Sequence, residues 1–122
     1  MSETNVQKWF SELRRLWLEK DIAALQALVA DEFVYYEDPF EPPILYWGEL
    51  ESVWQEVKEQ NIKTLSINIL IDGEKEGSAQ YDFVCLDANG TKHHSRGAYY
   101  VKLDDVGKAV EFRQWWNQSL ED

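Results

Sequence analysis

The sequence predicts an α+β fold in which three helices in the N-terminal half pack on a curved, mixed and mainly antiparallel sheet. In the first half of the chain, apolar residues recur at the spacing of amphipathic helices, whereas from Lys63 onward they alternate with the two-residue period of strands. Short turn sequences join the later strands, which favours antiparallel pairing. We therefore expect the helices to cover the concave face of the sheet and to enclose a cavity.

Each predicted helix has a recognisable start. The first covers residues 4–20, where an apolar stripe follows capping candidates such as Thr4. Asp21 is the expected N-cap of a second, short helix. Gly48 opens the third helix. The apolar stripe of this third helix consists of Leu50, Val53, Trp54 and Val57.

Five strands follow from β-rich and alternating segments. The first covers residues 33–38 and ends at Pro39, and three prolines make residues 39–46 an irregular loop. Turn sequences such as Asp72-Gly73 separate the remaining strands. Those strands are predicted at residues 63–71, 78–86, 91–103 and 108–117.

Length and charge exclude several classes of protein. The 122 residues fit one domain, which we expect to cover 1–122. The formal net charge is −11, so nucleic acids and anionic membranes are not expected partners. The sequence shows no signal peptide, no membrane span and no phosphate-binding loop, and its single cysteine, Cys85, cannot form an intramolecular disulfide. We expect a cytoplasmic protein without a cofactor.

Two segments carry a resemblance that covers nearly the whole chain. One runs from Asp21-Ile22 through Glu37-Asp38-Pro39-Phe40 and Pro42-Pro43-Ile44 to Gly48. The other is GKAVEFRQWWN at residues 107–117. Together they resemble the nuclear transport factor 2-like superfamily, which includes SnoaL-like polyketide cyclases and ketosteroid isomerases. The resemblance implies a cone-shaped domain, on which the superfamily carries enzymes, ligand binders and interaction modules.

Asp38 is the first candidate for catalysis. The resemblance implies a general base here, because ketosteroid isomerases shuttle a proton with the aspartate that precedes this proline. An apolar cavity would suit a carboxylate to that role by raising its pKa. The alternative is a turn residue that accepts hydrogen bonds from nearby backbone amides. Strand alternation puts Val34 and Tyr36 on the same face as Asp38, and the resemblance implies that this face points into the cavity. The opposite face then holds Phe33, Tyr35 and Glu37.

Tyr99 is the candidate donor to a developing oxyanion. Ketosteroid isomerases use a tyrosine on the first helix and a protonated aspartate on a late strand. In this sequence the helix position falls on Leu13, which has no donor, and the strand position falls on Tyr99. Steroid isomerisation itself is therefore not favoured. Tyr36 shares the predicted face of Asp38 and is a second possible donor, although both tyrosines can equally be core residues.

The other pocket candidates lie on the last two strands. Val101 lies two residues after Tyr99 on the same predicted strand, so both side chains point to the same face. The resemblance places further side chains of the last strand in the cavity. We expect low polarity there, with few charges beyond Asp38. Whether His93 or Asn117 contributes is left open by the sequence. The predicted lining from the last strand is Phe112, Gln114 and Trp116.

Two further kinds of chemistry are not favoured. Limonene epoxide hydrolases of the same superfamily use an Arg-x-Asp pair and a final Asp, but the corresponding positions hold Gly97, Tyr99 and Asn117. The two histidines, His93 and His94, are adjacent on a strand and point to opposite faces. No metal site is therefore expected.

The expected function is binding of a small, largely apolar molecule in the cone. Proton-transfer catalysis of the isomerase or cyclase type, with Asp38 as base, is one form of this function. The alternative is a non-catalytic ligand-binding, dimerisation or protein-interaction module with a vestigial pocket. Apolar side chains on the other sheet face predict a homodimer, since a monomer would expose them to water. These side chains are Ala98, Tyr100 and Trp115.

Overall fold

A computed structural model of the chain describes residues 4–38 and 40–121, with side chains through residue 117. Within these residues, three α-helices pack on a five-stranded sheet, which confirms the predicted α+β fold. The helices are α1 (Asn5–Glu19), α2 (Ile22–Leu25) and α3 (Trp47–Trp54). The strands are β1 (Val29–Tyr36), β2 (Asn61–Asp72), β3 (Glu76–Leu86), β4 (Lys92–Leu103) and β5 (Ala109–Glu121).

Thr4 caps α1 as the sequence predicts. Its hydroxyl accepts a hydrogen bond from the amide of Gln7 at 3.1 Å, and the Gln7 side chain accepts from the amide of Thr4 at 3.2 Å. Asp21 caps α2 through the amide of Ala24 at 3.3 Å. α3 begins at Trp47, one residue before the predicted glycine, and continues into a 3₁₀ turn. None of the helices in the described ranges is long and apolar enough to cross a membrane.

The strand order is β1-β5-β4-β3-β2, and β1 runs parallel to β5 whereas the other neighbours are antiparallel. The parallel pairing makes the sheet mixed, as expected. On the side of β1 that faces away from β5, the loop that follows β1 forms a short antiparallel bridge with it. The amide of Tyr35 donates to the carbonyl of Ile44 at 3.0 Å, and the amide of Ile44 donates back at 2.7 Å.

Two glycines allow the close packing of the sheet. A Cβ on Gly97 of β4 would collide with the backbone oxygen of Trp115 on β5. A Cβ on Gly77 of β3 would lie 2.8 Å from a methyl group of Val6, which belongs to the buried face of α1. Glycine therefore lets the paired backbones bend at one position and lets α1 approach the sheet at the other.

Candidate functional site

The side chains of β1 that point inward are Phe33 and Tyr35, whereas the sequence predicts Val34 and Tyr36. Phe33 and Tyr35 are only 5% and 4% exposed, and Glu37 follows on their side. Val34 and Tyr36 lie on the outer face of the sheet. The prediction that Val34 and Tyr36 line the pocket is therefore wrong, because the alternation was assigned one residue out of phase.

Tertiary contacts set this phase, and the local sequence does not contain them. Tyr35 and Tyr36 are adjacent and equally aromatic, so the alternation alone gives no preference for either face. In the structure, Tyr35 pairs in register with Phe112 of β5. The ring of Tyr36 instead lies 4.3 Å from the guanidinium carbon of Arg113. The Asp-Pro motif places Asp38 at the pocket, but Asp38 lies beyond the end of β1, and its phase does not extend back to Val34 and Tyr36.

A pocket of about 640 Å³ opens on the concave side of the sheet. α1, α3, the end of β1 and the three strands β3, β4 and β5 all contribute to it. Much of its lining is aromatic, which suits flat, apolar ligands. The aromatic members are Trp17, Tyr35, Trp54, Tyr81, Phe83, Tyr99, Phe112 and Trp116.

Most of the residues predicted for the site lie in this lining. Val101 has the expected inward parity but is fully buried in the core and does not line the pocket. Asn117 is exposed and lies outside the lining as well. The predicted residues that the structure brings together are Asp38, Tyr99, Phe112, Gln114 and Trp116, and His93, which the sequence left open, joins them.

Tyr99 sits inside a stack of rings. Its ring lies 4.4 Å from that of Tyr81, centroid to centroid, with the two planes 8° apart. Phe10 flanks it at 6.1 Å and Phe112 at 5.1 Å. Burial raises the pKa of Tyr99 well above its ordinary value. The phenol therefore stays protonated at neutral pH and keeps a hydroxyl proton.

Glu37 brings a carboxyl group into this aromatic lining. Its Oε2 atom is shielded from solvent and has no hydrogen-bond partner among the described residues. Burial raises the pKa of Glu37 to about 7; a hydrogen bond with Tyr35 opposes this shift, and the charges of Glu56 and Asp38 add to it. The group therefore changes between its acid and carboxylate forms near neutral pH. Our sequence prediction missed it because of the phase error.

Tyr35 and Trp54 orient this carboxyl group. The indole Nε1 of Trp54 donates to the hydroxyl oxygen of Tyr35 over 3.3 Å, and that hydroxyl is hydrogen-bonded to Glu37. Because the hydroxyl oxygen accepts from Trp54, its proton is free to point at the carboxylate. Burial raises the pKa of Tyr35 well above its ordinary value, so this proton is retained.

Asp38 lies at the edge of the pocket and closes a turn. Its Oδ1 accepts a hydrogen bond from the amide of Phe40 at 2.8 Å, and its carbonyl accepts from the amide of Glu41 at 3.2 Å. These are the contacts that the turn interpretation predicts. Its role as a general base stays a prediction. The neighbouring Pro39 lies outside the described residues.

The edge of the pocket is acidic, so our expectation of few charges beyond Asp38 is wrong. Glu56 and Glu59 come from the 3₁₀ turn after α3, Glu41 from the loop after β1, and Asp87 from the turn between β3 and β4. In the part of the chain that the structure describes, no lysine or arginine belongs to the lining. In the sequence these carboxylates are typical of solvent-exposed positions. Only the folded chain brings them together around one opening.

His93 also lies at this edge. Its Nε2 atom is 2.8 Å from Oδ2 of Asp87, and this contact lowers the pKa of Asp87. His94 lies on the other face, with its Nε2 atom 2.7 Å from Oδ1 of Asp82. The described residues contain no group of three His, Cys, Asp or Glu side chains that could hold a metal ion.

No protein-family model matches the sequence, and no curated protein matches it. Solved structures do match it over almost its full length. A Δ5-3-ketosteroid isomerase from Mycobacterium sp. superposes with a TM-score of 0.83 at 17% identity, covering 97% of this chain and 99% of that chain. RV0760c from Mycobacterium tuberculosis gives 0.88 at 13% identity, covering 99% of each chain.

A third similar structure is SalBIII, an epoxide hydrolase/cyclase-like enzyme of pyran ring formation in the polyether salinomycin. Its TM-score is 0.81 at 14% identity, covering 94% of this chain and 95% of that chain. RV0760c has also been crystallised in complex with estradiol-17β-hemisuccinate. At these identities the likeness concerns the fold. The chain has the nuclear transport factor 2-like fold, which confirms the fold that the resemblance implies.

Proposed function

We propose that the protein binds a small, largely apolar molecule in its pocket and moves a proton on it with Glu37. The observation that carries this proposal is the solvent-shielded, unpartnered Oε2 atom of Glu37 within an aromatic lining. Leaving a buried polar atom without a partner costs free energy, and a ligand that pairs with it recovers that cost. Strongly shifted carboxyl groups in clefts are also typical of functional sites.

The geometry supports a simple division of roles. Tyr35 holds the carboxyl of Glu37, and the unpartnered Oε2 atom takes a proton from a carbon next to a carbonyl group of the ligand. The C–H bond breaks, an O–H bond forms on Glu37, and the electron pair moves to the carbonyl oxygen. Tyr99 is the proposed hydrogen-bond donor to that oxygen. A pKa near 7 lets Glu37 accept the proton and return it at neutral pH.

In this proposal Glu37 takes the role that the sequence assigned to Asp38. The carboxylate of Asp38 is engaged by the amide of Phe40, whereas that of Glu37 has an oxygen available. Proteins with similar structures support the reaction class, since one is a ketosteroid isomerase and another is a cyclase-like enzyme. Because Leu13 stands where those isomerases carry a tyrosine, we propose a substrate other than their Δ5-steroid.

Hydrogen exchange on β-tetralone, a small aromatic ketone with acidic C–H bonds, tests the proposal. In deuterated water, proton NMR follows the replacement of these hydrogens by deuterium. We expect the protein to accelerate exchange and Glu37→Gln to slow it about 10²-fold or more. Asp38→Asn, which keeps an oxygen to accept from the Phe40 amide, is the matched control and should remain active.

Each result decides a specific point. Unchanged exchange in Glu37→Gln would contradict the proposed role of Glu37, and a loss confined to Asp38→Asn would return the base to Asp38. Tight ketone binding without exchange would favour the non-catalytic binding module. Melting temperatures of both variants separate loss of activity from loss of fold.

We also propose a homodimer formed through the outer face of the sheet. Trp115 is 44% exposed there and pairs across strands with Ala98, next to Tyr100. A second copy of the same face would remove this apolar surface from water. The alternative function as a dimerisation or interaction module would use the same surface.

A further inference from the structure

We propose that the natural ligand of this pocket is an apolar ring compound that carries a basic nitrogen and binds as a cation. The inference rests on the proposed function of the pocket and names the chemical class of its ligand. It follows from the arrangement of charge at the opening together with the groups available inside.

The opening presents negative charge from several directions. Glu56 and Glu59 approach from the 3₁₀ turn after α3, Glu41 from the loop after β1, and Asp87 from the β3–β4 turn. No lysine or arginine lies among the described lining residues to neutralise them. Carboxylates that line a cleft with apolar walls raise the local concentration of cations and repel anions. The net charge of −11 acts in the same direction at longer range.

A nearby cation does not compensate for this charge. The ammonium group of Lys20 donates to the backbone carbonyls of Lys58, at 3.1 Å, and Gln60, at 2.5 Å. It is thus bound to the backbone on either side of Glu59 and is not part of the lining. At the edge itself, His93 is already in contact with the carboxylate of Asp87.

The interior also offers what an ammonium group requires. The carboxylate form of Glu37 attracts a ligand cation by its charge, and Oε2, which has no partner among the described residues, remains the proton acceptor for a carbon of the same ligand. Trp17, Trp54 and Trp116 also belong to the lining, and indole is the side chain that attracts cations most strongly through its ring face. An anionic ligand would meet the carboxylates of Glu56, Glu59 and Asp87 at the opening. We therefore expect this pocket to differ from that of RV0760c, which was crystallised with estradiol-17β-hemisuccinate, a carboxylate.

Three probes of similar shape test the inference: naphthylmethylamine, naphthylmethanol and naphthoate, which are cationic, neutral and anionic at neutral pH. Isothermal titration calorimetry measures their affinities at low and high salt. We expect the amine to bind about tenfold or more tightly than naphthoate, with the alcohol between them. High salt should reduce the difference, because screening weakens the effect of the exposed carboxylates.

Charge variants identify the source of the preference. The double variant Glu56→Gln with Glu59→Gln should lose part of the preference for the amine. Glu32→Gln is the control, because it also removes a charge but lies on β1 outside the pocket lining. Equal affinities, or tightest binding of naphthoate, would overturn the cation inference and leave the apolar pocket intact. Failure of all three probes to bind would overturn both the inference and the proposed function.

Discussion

The ring of Tyr35 stacks on the ring of Phe112, with centroids 4.7 Å apart and planes at 14°. The two residues are register partners in the parallel pairing of β1 with β5. This contact fixes the direction of the Tyr35 side chain, and its hydroxyl in turn engages Glu37. The one parallel pairing of the described sheet therefore positions the carboxyl group on which the proposed chemistry depends.

Removing the Tyr35 hydroxyl should change the pH dependence of the reaction. The hydrogen bond from Tyr35 favours the charged form of Glu37 and lowers its pKa, so Tyr35→Phe should raise that pKa further. The pH midpoint of β-tetralone exchange should then move upward. Tyr36→Phe, on the outer face, is the control and should leave the profile in place. A profile that does not move in Tyr35→Phe would show that this hydroxyl does not act on Glu37.

Glu37 should make stability fall as pH rises. Its pKa is near 7 in the folded chain and near 4.5 ordinarily, so the folded state binds more protons between these values. The free energy of unfolding should decrease across this range by up to about 3 kcal/mol. The titratable groups that act on Glu37 are Tyr35, Glu56 and Asp38.

Urea denaturation of the wild type and of Glu37→Gln across this range measures the effect. The difference between the two proteins isolates the contribution of Glu37 to the pH dependence. From low pH to above pH 7, the free energy of unfolding should therefore fall less in Glu37→Gln than in the wild type. Parallel pH curves for the two proteins would contradict the raised pKa.

Gly97 should be intolerant of a side chain. Because an added Cβ would meet the backbone oxygen of Trp115, Gly97→Ala must displace paired backbone and should destabilise the protein by roughly 3 kcal/mol or more. Gly48→Ala is the matched control, since a Cβ there meets no atom within 4 Å. It should be neutral or slightly stabilising, by up to about 1 kcal/mol. Thermal melts compare the two, and equal melting temperatures would argue against the predicted clash.

The proposed homodimer should depend on Trp115. Trp115→Glu places a charge in the centre of the outer apolar face and should shift the protein from dimer to monomer, as measured by light scattering at micromolar concentration. Tyr46→Glu, at a position that is 73% exposed in the loop before α3, is the control and should leave the mass unchanged. A wild-type protein that is monomeric at high micromolar concentration would contradict the dimer.

The sequence predicts the fold well because each of its signals is local. Thr4 and Asp21 are capping residues wherever they precede a helix, and the alternation from Leu65 to Ile71 marks a strand without reference to its neighbours. The turns between β2 and β5 were likewise recognisable from Gly, Asp and Asn. These features need no knowledge of tertiary contacts.

The site is harder to predict from the sequence, because it depends on contacts between segments that are distant in the chain. Two adjacent tyrosines made the phase of β1 ambiguous, and only the pairing with Phe112 resolves it. The acidic opening depends on a 3₁₀ turn that brings Glu56 and Glu59 beside Asp87, about thirty residues later in the chain. Neither arrangement can be predicted from the residues of one segment alone.

The bridge between Tyr35 and Ile44 also bears on how copies of this protein can associate. β1 is a terminal strand of the sheet, and a terminal strand normally offers free backbone groups on which a strand of another molecule can add. At Tyr35 both groups are already used by Ile44 of the same chain. Addition of a strand is therefore blocked at this point of β1, and the opposite edge of the described sheet is formed by β2.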